Sequence, residues 1–95
     1  MGSAVLTNSL TYLNNEDKNL VLRAFEFAQK AHEGQTRLSG EPYITHLVEV
    51  AKILSELKLD ASVISAALLH DTLEDTAVTE NELQQKFGHE ITFLL

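Results

Sequence analysis

The sequence of 95 residues contains no cysteine, no tryptophan and a single proline. The absence of cysteine excludes disulfides and thiolate metal ligands, and it suits the reducing environment of the cytoplasm, where we expect the protein to be. No apolar run approaches the roughly 20 residues that a membrane-spanning helix needs, so no membrane association is expected. Residues 1–13 lack a basic segment followed by a long apolar core, which argues against a secretory signal.

Positive charge is also scarce. There are 7 lysines and arginines against 14 aspartates and glutamates, which gives a net charge of −7. This balance argues against binding DNA or RNA, because a grip on the phosphate backbone needs clustered cations. It leaves room for a small nucleotide if a bound metal ion supplies local positive charge. The apolar share of 44% is ordinary for a folded protein, and the length fits one small domain or part of a larger one.

Apolar residues recur at helical spacing along the whole chain, while no alternating strand pattern of useful length is present. The pattern therefore predicts an all-α helical bundle. The sequence ends on Phe93, Leu94 and Leu95 without a polar close, which is more typical of the N-terminal portion of a larger helical domain than of a whole one. The predicted helices are a leading helix within residues 1–15, then motif-bearing helices over 16–32, from Pro42 to Leu57, from Asp60 to about Leu73, from Thr79 to Phe87, and the start of another over 89–95. Asn15 is the predicted cap of the second helix, His32 is predicted to be a histidine at its end, and Thr79 with Glu82 forms a capping box at the start of the fifth.

An acidic block closes the helix that begins near Asp60. His70 and Glu74 are four residues apart, as are Asp71 and Asp75, so the block forms two neighbouring columns on a helix. One ion between the columns would meet both His70 and Asp71. Acids at this end oppose the helix dipole and repel one another, which a bound cation would offset. The alternative is a solvated acidic helix end.

His46 lies early in the helix that begins at Pro42. The connection to the next helix is short, so the two helices should pack antiparallel and bring His46 near His70 and Asp71. The alternative for His46 is a partly buried histidine, but three converging candidate ligands favour a metal site. Imidazole and carboxylate ligands suit Mn, Fe, Zn or Ni. Such a centre, with Glu74 and Asp75 to orient or deprotonate a bound water or to protonate a leaving group, is typical of a phosphoester hydrolase. These residues do not identify the substrate.

Two longer motifs make a specific resemblance. Residues 34–46, GQTRLSGEPYITH, look like the loop and first histidine of the hydrolase domain of the RelA/SpoT family. Residues 66–76, AALLHDTLEDT, look like the family's HD helix and the acidic pair that follows it. The pairs Ala31-His32 and Phe87-Gly88 also match. The resemblance covers nearly the whole chain after about Glu16, with both motifs in the family's order.

The resemblance implies an HD phosphohydrolase that removes the 3′-pyrophosphate of ppGpp and pppGpp to give GDP or GTP plus pyrophosphate. Alternatives are a non-catalytic or regulatory module that kept the HD fold, and an HD hydrolase of another nucleotide. The site residues that the resemblance implies are the Mn²⁺ ligands His46, His70 and Asp71, the catalytic pair Glu74 and Asp75, and the guanine-nucleotide contacts Arg37 and Ser39.

The sequence departs from the family pattern at three points. Leu38 stands where the family often has a basic residue, and Leu47 where it usually has proline. The family's fourth metal ligand, an aspartate on a later helix, falls in a segment beyond Leu95. We therefore expect the 95-residue chain alone to bind metal weakly, to show little or no hydrolase activity, and to form homo-oligomers through exposed apolar faces.

Overall fold

The computed structural model describes residues 8–36 and 38–95, and five helices lie wholly within them. No strand occurs in this part of the chain; an isolated bridge between Thr36 and Pro42 closes one loop. The predicted all-α fold is therefore confirmed. The helices are α1 (Asn15–Ala31), α2 (Tyr43–Glu56), α3 (Ala61–Asp75), α4 (Glu80–Phe87) and α5 (His89–Leu94).

The predicted leading helix falls mostly outside the described residues. Of the residues described before α1, Asn8 and Ser9 are helical, and a turn follows them. Leu10 in that turn is fully buried, and the Tyr12 hydroxyl donates a 2.6 Å hydrogen bond to the backbone carbonyl of Leu59. The segment is thus tied to the connection between α2 and α3. The division of the chain into residues 1–15 and 16–95 stays a prediction.

Side-chain caps start two of the helices, with one correction to the sequence-based expectation. The cap of α1 is Asn14, and not Asn15, because the Asn14 side chain accepts the backbone N–H of Asp17 at 2.7 Å. At the start of α4, Thr79 accepts the backbone N–H of Glu82 at 3.2 Å, as its spacing from that glutamate predicts. These bonds satisfy N–H groups that a helix start would otherwise leave without a partner.

Helix α3 is central and packs against α1, α2 and α5. It extends two residues past the predicted end, from Leu73 to Asp75, so the whole acidic block is helical. Its buried residues lie on more than one face, and each fully buried leucine contributes about 1.5–3 kcal/mol to folding. Its last turns reach solvent, and these carry the polar block. The buried residues of α3 are Ala61, Ile64, Ser65, Ala66, Leu68, Leu69 and Thr72.

Several large apolar side chains remain exposed. Ile53 and Leu57 lie on or just after α2, Val63 lies early in α3, and Phe93 and Leu94 lie near the end of α5. Their exposure matches the apolar surface that the sequence predicts, while association through it stays a prediction. None of the helices in the described ranges is long and apolar enough to cross a membrane.

Candidate metal centre and adjoining cavity

The start of α2 lies beside the end of α3, as expected for two antiparallel neighbours. His46, in the first turns of α2, places its Nε2 4.0 Å from Oδ2 of Asp71 on α3. The short loop between the helices forces this reversal, and the core residues Leu47 and Ala51 on α2 hold it. The geometry thus brings together the histidine and the aspartate that the sequence singled out.

Three donors on α3 form a tight cluster. One ligand atom each from His70, Asp71 and Glu74 lie within 4.8 Å of one another. His70 Nδ1 is 3.4 Å from Asp71 Oδ1, and His70 Nε2 is 3.9 Å from Glu74 Oε1. The column of His70 and Glu74 predicted from the helical spacing is therefore present. Glu74, expected to act on water, lies in the same cluster as two predicted ligands.

The donor set fits a divalent transition metal. Imidazole nitrogens and carboxylate oxygens are the ligands that Mn, Fe, Zn and Ni share. Among the described side chains, every ion pair within 4.0 Å joins a histidine to a carboxylate of this centre, and none involves lysine or arginine. Carboxylates so placed, at the helix end where the dipole opposes them, are suited to a bound cation.

Asp71 is held by a residue to which the sequence had assigned no role. The Tyr43 hydroxyl donates a 2.6 Å hydrogen bond to Asp71 Oδ2. This bond holds the pKa of the Asp71 carboxyl below its usual value, although partial burial acts in the opposite direction. The neighbouring His70, by hydrogen bonding and charge, and His46, by charge, lower that pKa further. The carboxylate form of Asp71 is therefore favoured.

Behind Tyr43 lies His32, which the sequence predicted only as a helix-end histidine. It is indeed the residue that ends α1, but it is 3% exposed and stacks on the Tyr43 ring at 3.8 Å between centroids. The one feature of the sequence that could have indicated a role for His32 was that the pair Ala31-His32 matches the RelA/SpoT family. Helical spacing could not reveal this contact, because it joins α1 to α2 through tertiary packing.

A cavity of about 930 Å³ adjoins the metal cluster. Ser39 and Asp75 share its wall, so the predicted substrate contact and one predicted catalytic acid face the same space. Gln35 donates from Nε2 to the backbone carbonyl of Asp75 at 3.3 Å, which joins the loop to the end of α3. Arg37, the other predicted nucleotide contact, lies outside the described residues. Gln35, Thr36, Leu38 and Tyr43 also line the cavity.

Comparison with known families agrees with the fold and with the two motifs. A family model described as "HD domain" matches residues 24–95, which is most of the chain. The chain therefore belongs to the HD domain family. The match contains both motifs that the sequence analysis compared with the RelA/SpoT hydrolase domain.

Curated relatives share about half of the aligned residues. The chain is 51% identical over 85 residues to the bifunctional (p)ppGpp synthase/hydrolase SpoT of Escherichia coli K12, covering 90% of this chain. It is 49% identical over 84 residues to a GTP pyrophosphokinase of Myxococcus xanthus, covering 88% of this chain. The aligned segments are 12% and 11% of those proteins, so the chain spans about a ninth of the length of these relatives.

Proposed function

We propose that, in an intact domain, this chain supplies the metal ligands and catalytic carboxylates of a hydrolase that removes the 3′-pyrophosphate of ppGpp and pppGpp. The observation that carries the proposal is the convergence of His46 on the His70–Asp71 pair, beside a cavity walled by Ser39 and Asp75. A relative from Escherichia coli O157:H7 that is 51% identical over 85 residues is named guanosine-3′,5′-bis(diphosphate) 3′-pyrophosphohydrolase.

The proposed metal ligands are His46, His70 and Asp71, and the proposed ion is Mn²⁺. The ion's identity follows from the family resemblance, because this ligand set would also suit Fe, Zn or Ni. When bound, a divalent ion would lower the pKa of a coordinated water and draw charge from a phosphoryl oxygen.

The proposed reaction breaks one P–O bond. The oxygen of a water molecule bonds to the 3′-phosphorus, and the bond between that phosphorus and the ribose 3′-oxygen breaks. A proton from the water passes to a carboxylate, and the ribose oxygen takes a proton and leaves as a hydroxyl. The products are pyrophosphate together with GDP from ppGpp or GTP from pppGpp.

Glu74 and Asp75 divide the proton transfers in this proposal. Glu74 Oε1 is 3.9 Å from His70 Nε2, within the ligand cluster, where it can take the proton of the attacking water. Asp75 lies on the cavity wall, and in this proposal it returns a proton to the leaving oxygen. Ser39 on the same wall is the proposed polar contact to the nucleotide, and Arg37 the proposed flat cation against guanine.

The test is hydrolysis of ppGpp labelled in its 3′-pyrophosphate, with and without Mn²⁺. We expect labelled pyrophosphate and GDP from the intact domain, with activity lost on chelation and restored by added Mn²⁺. Release of single phosphate would contradict the proposed cleavage position. Turnover that survives chelation would contradict the metal centre.

A further inference from the structure

We infer that Tyr43 and His32 are positioning residues for Asp71, and that His32 acts only through Tyr43. The inference rests on the proposed metal centre, because it concerns how one of that centre's ligands is held. Neither residue belongs to the ligand set or to the proposed proton-transfer pair.

The first step is the orientation of the Asp71 carboxylate. Oδ1 lies 3.4 Å from His70 Nδ1, and Oδ2 lies 4.0 Å from His46 Nε2. The carboxylate therefore lies between the two histidines, with one oxygen towards each. Rotation about the terminal torsion of an aspartate is broad and has no steep well of its own. An external contact is needed to keep both oxygens in place.

Tyr43 supplies that contact. Its hydroxyl donates to Oδ2 at 2.6 Å, a short hydrogen bond of the charge-assisted kind. The backbone N–H of Tyr43 donates to the carbonyl of Gln35 at 3.1 Å, and the residue before it, Pro42, has a restricted φ. The side chain is 8% exposed, so its ring has few other positions to adopt.

His32 holds the Tyr43 ring from behind. The two rings are stacked with centroids 3.8 Å apart and planes within 14° of each other. The His32 ring is fixed in turn, because Nδ1 lies 3.1 Å from Gln35 Oε1 and Nε2 lies 3.3 Å from Thr72 Oγ1. With both nitrogens engaged, this buried imidazole meets its hydrogen-bonding needs without contacting the cluster.

The arrangement forms a continuous support from α1 to the metal centre. His32 ends α1, Tyr43 begins α2, and Asp71 lies near the end of α3. Partners that orient a ligand in this way typically change metal affinity by about 10- to 100-fold when removed. If Tyr43 only filled space beside Asp71, a substitution that keeps its ring and removes its hydroxyl would leave metal affinity unchanged.

The experiment measures the Mn²⁺ affinity of the metal-free intact domain by calorimetric titration, carried to concentrations that saturate the unsubstituted domain. Tyr43→Phe keeps the ring and removes the hydroxyl, and we expect a loss of affinity of about 10-fold or more. The control is Tyr12→Phe at the other tyrosine of the sequence, whose hydroxyl also donates a 2.6 Å bond, to the carbonyl of Leu59. That change should leave Mn²⁺ affinity as it was.

His32 is tested by a double-mutant cycle with His32→Gln. His32→Gln alone should weaken Mn²⁺ binding, because it loosens the Tyr43 ring. Since His32 acts through the Tyr43 hydroxyl, the double variant His32→Gln with Tyr43→Phe should bind Mn²⁺ no more weakly than Tyr43→Phe alone. Additive losses would overturn the role assigned to His32. If His32→Gln does not fold, Tyr43→Phe against Tyr12→Phe decides the matter.

The outcomes separate this inference from the proposed function. Unchanged Mn²⁺ affinity in Tyr43→Phe overturns the inference and leaves the metal centre standing. No Mn²⁺ binding by the unsubstituted intact domain overturns both. Normal Mn²⁺ binding together with failure to cleave ppGpp in the intact domain would contradict the proposed substrate only.

Discussion

Asp71 Oδ2 lies 4.0 Å from His46 Nε2, although the two residues belong to different helices. The contact exists because α2 and α3 reverse direction over a short loop and share a buried face. The same oxygen accepts the Tyr43 hydroxyl at 2.6 Å, so one carboxylate oxygen joins the two helix ends. Removing this carboxylate should therefore affect the centre more than removing any neighbour.

Asp71→Asn is expected to abolish measurable Mn²⁺ binding. The amide keeps the size of the side chain but removes the negative charge and one acceptor oxygen. The loss should exceed the roughly 10- to 100-fold that a supporting partner contributes. Calorimetric titration measures it, with Asp17→Asn on the first turn of α1 as the control for an aspartate outside the centre. Equal affinities in the two variants would show that Asp71 is not a ligand.

Glu74 and Asp75 are adjacent, yet their substitutions should have different effects. Glu74→Gln is expected to weaken Mn²⁺ binding and turnover together, because Glu74 shares the cluster with His70. Asp75→Asn should leave Mn²⁺ affinity unchanged, since Asp75 lines the cavity and is outside the cluster. It should lower turnover by about 100-fold or more, because proton transfer typically contributes about 10²–10⁴-fold to the rate. Binding titrations and ppGpp hydrolysis by the intact domain measure the two effects.

Glu80→Gln is the matched control for these two variants. Glu80 is an exposed acid in the first turn of α4, outside both the cluster and the cavity wall. It should leave Mn²⁺ affinity and turnover unchanged. If Asp75→Asn lost Mn²⁺ affinity as fully as Glu74→Gln, the division of roles between the two acids would be wrong.

Sequence reasoning located the helices and predicted that most of the candidate site residues lie close together, for a physical reason. Helical spacing is local, so it placed His70 above Glu74 on one face, and the short loop after α2 was enough to predict that His46 would approach them. It did not assign Tyr43 or His32, because a ring stack between two helices leaves no periodic trace. It also put the α1 cap one residue late, since Asn14 and Asn15 are equally good capping residues and only the backbone distinguishes them.

That cap gives a prediction about stability. Asn14→Ala removes the acceptor for the Asp17 N–H and should lower the free energy of unfolding by about 1 kcal/mol. Asn19→Ala, the same change at an exposed position inside α1, should instead raise it by a few tenths, because alanine is the better helix former. Urea denaturation compares the two. Equal changes of the same sign would show that the Asn14 side chain does not act as a cap.

Arg37 should determine which base is accepted. Arg37→Ala is expected to reduce turnover of guanine nucleotides selectively, because the guanidinium that we propose to lie against the base is lost. Arg23→Ala is the control, since Arg23 is the other arginine of the sequence and lies on α1, away from the lining of the adjoining cavity. A panel of guanine and adenine substrates on the intact domain measures the effect. Equal loss for both bases in Arg37→Ala would contradict a guanine contact.

The exposed apolar side chains predict how the 95-residue chain behaves on its own. Ile53 and Leu57, 58% and 65% exposed, lie one helical turn apart at the end of α2. Apolar surface of this kind favours association. We expect light scattering to show oligomers of the unsubstituted chain. The double substitution of Ile53→Ser with Leu57→Ser should shift the chain towards the monomer. Lys52→Ser, an exposed change on the same helix, should leave the association as it was.

The same experiment tests the metal centre, because Ile53 lies on the helix that carries His46 and Leu57 lies directly after it. If association distorts α2, the monomeric double variant should bind Mn²⁺ more tightly than the unsubstituted chain. This difference in Mn²⁺ affinity should decrease as the unsubstituted chain is diluted and its oligomers dissociate. If the fourth ligand expected from the family resemblance is what the centre needs, affinity stays weak in both states. An unsubstituted chain that is monomeric and binds one Mn²⁺ tightly would contradict both the expected weak metal binding and the expected association.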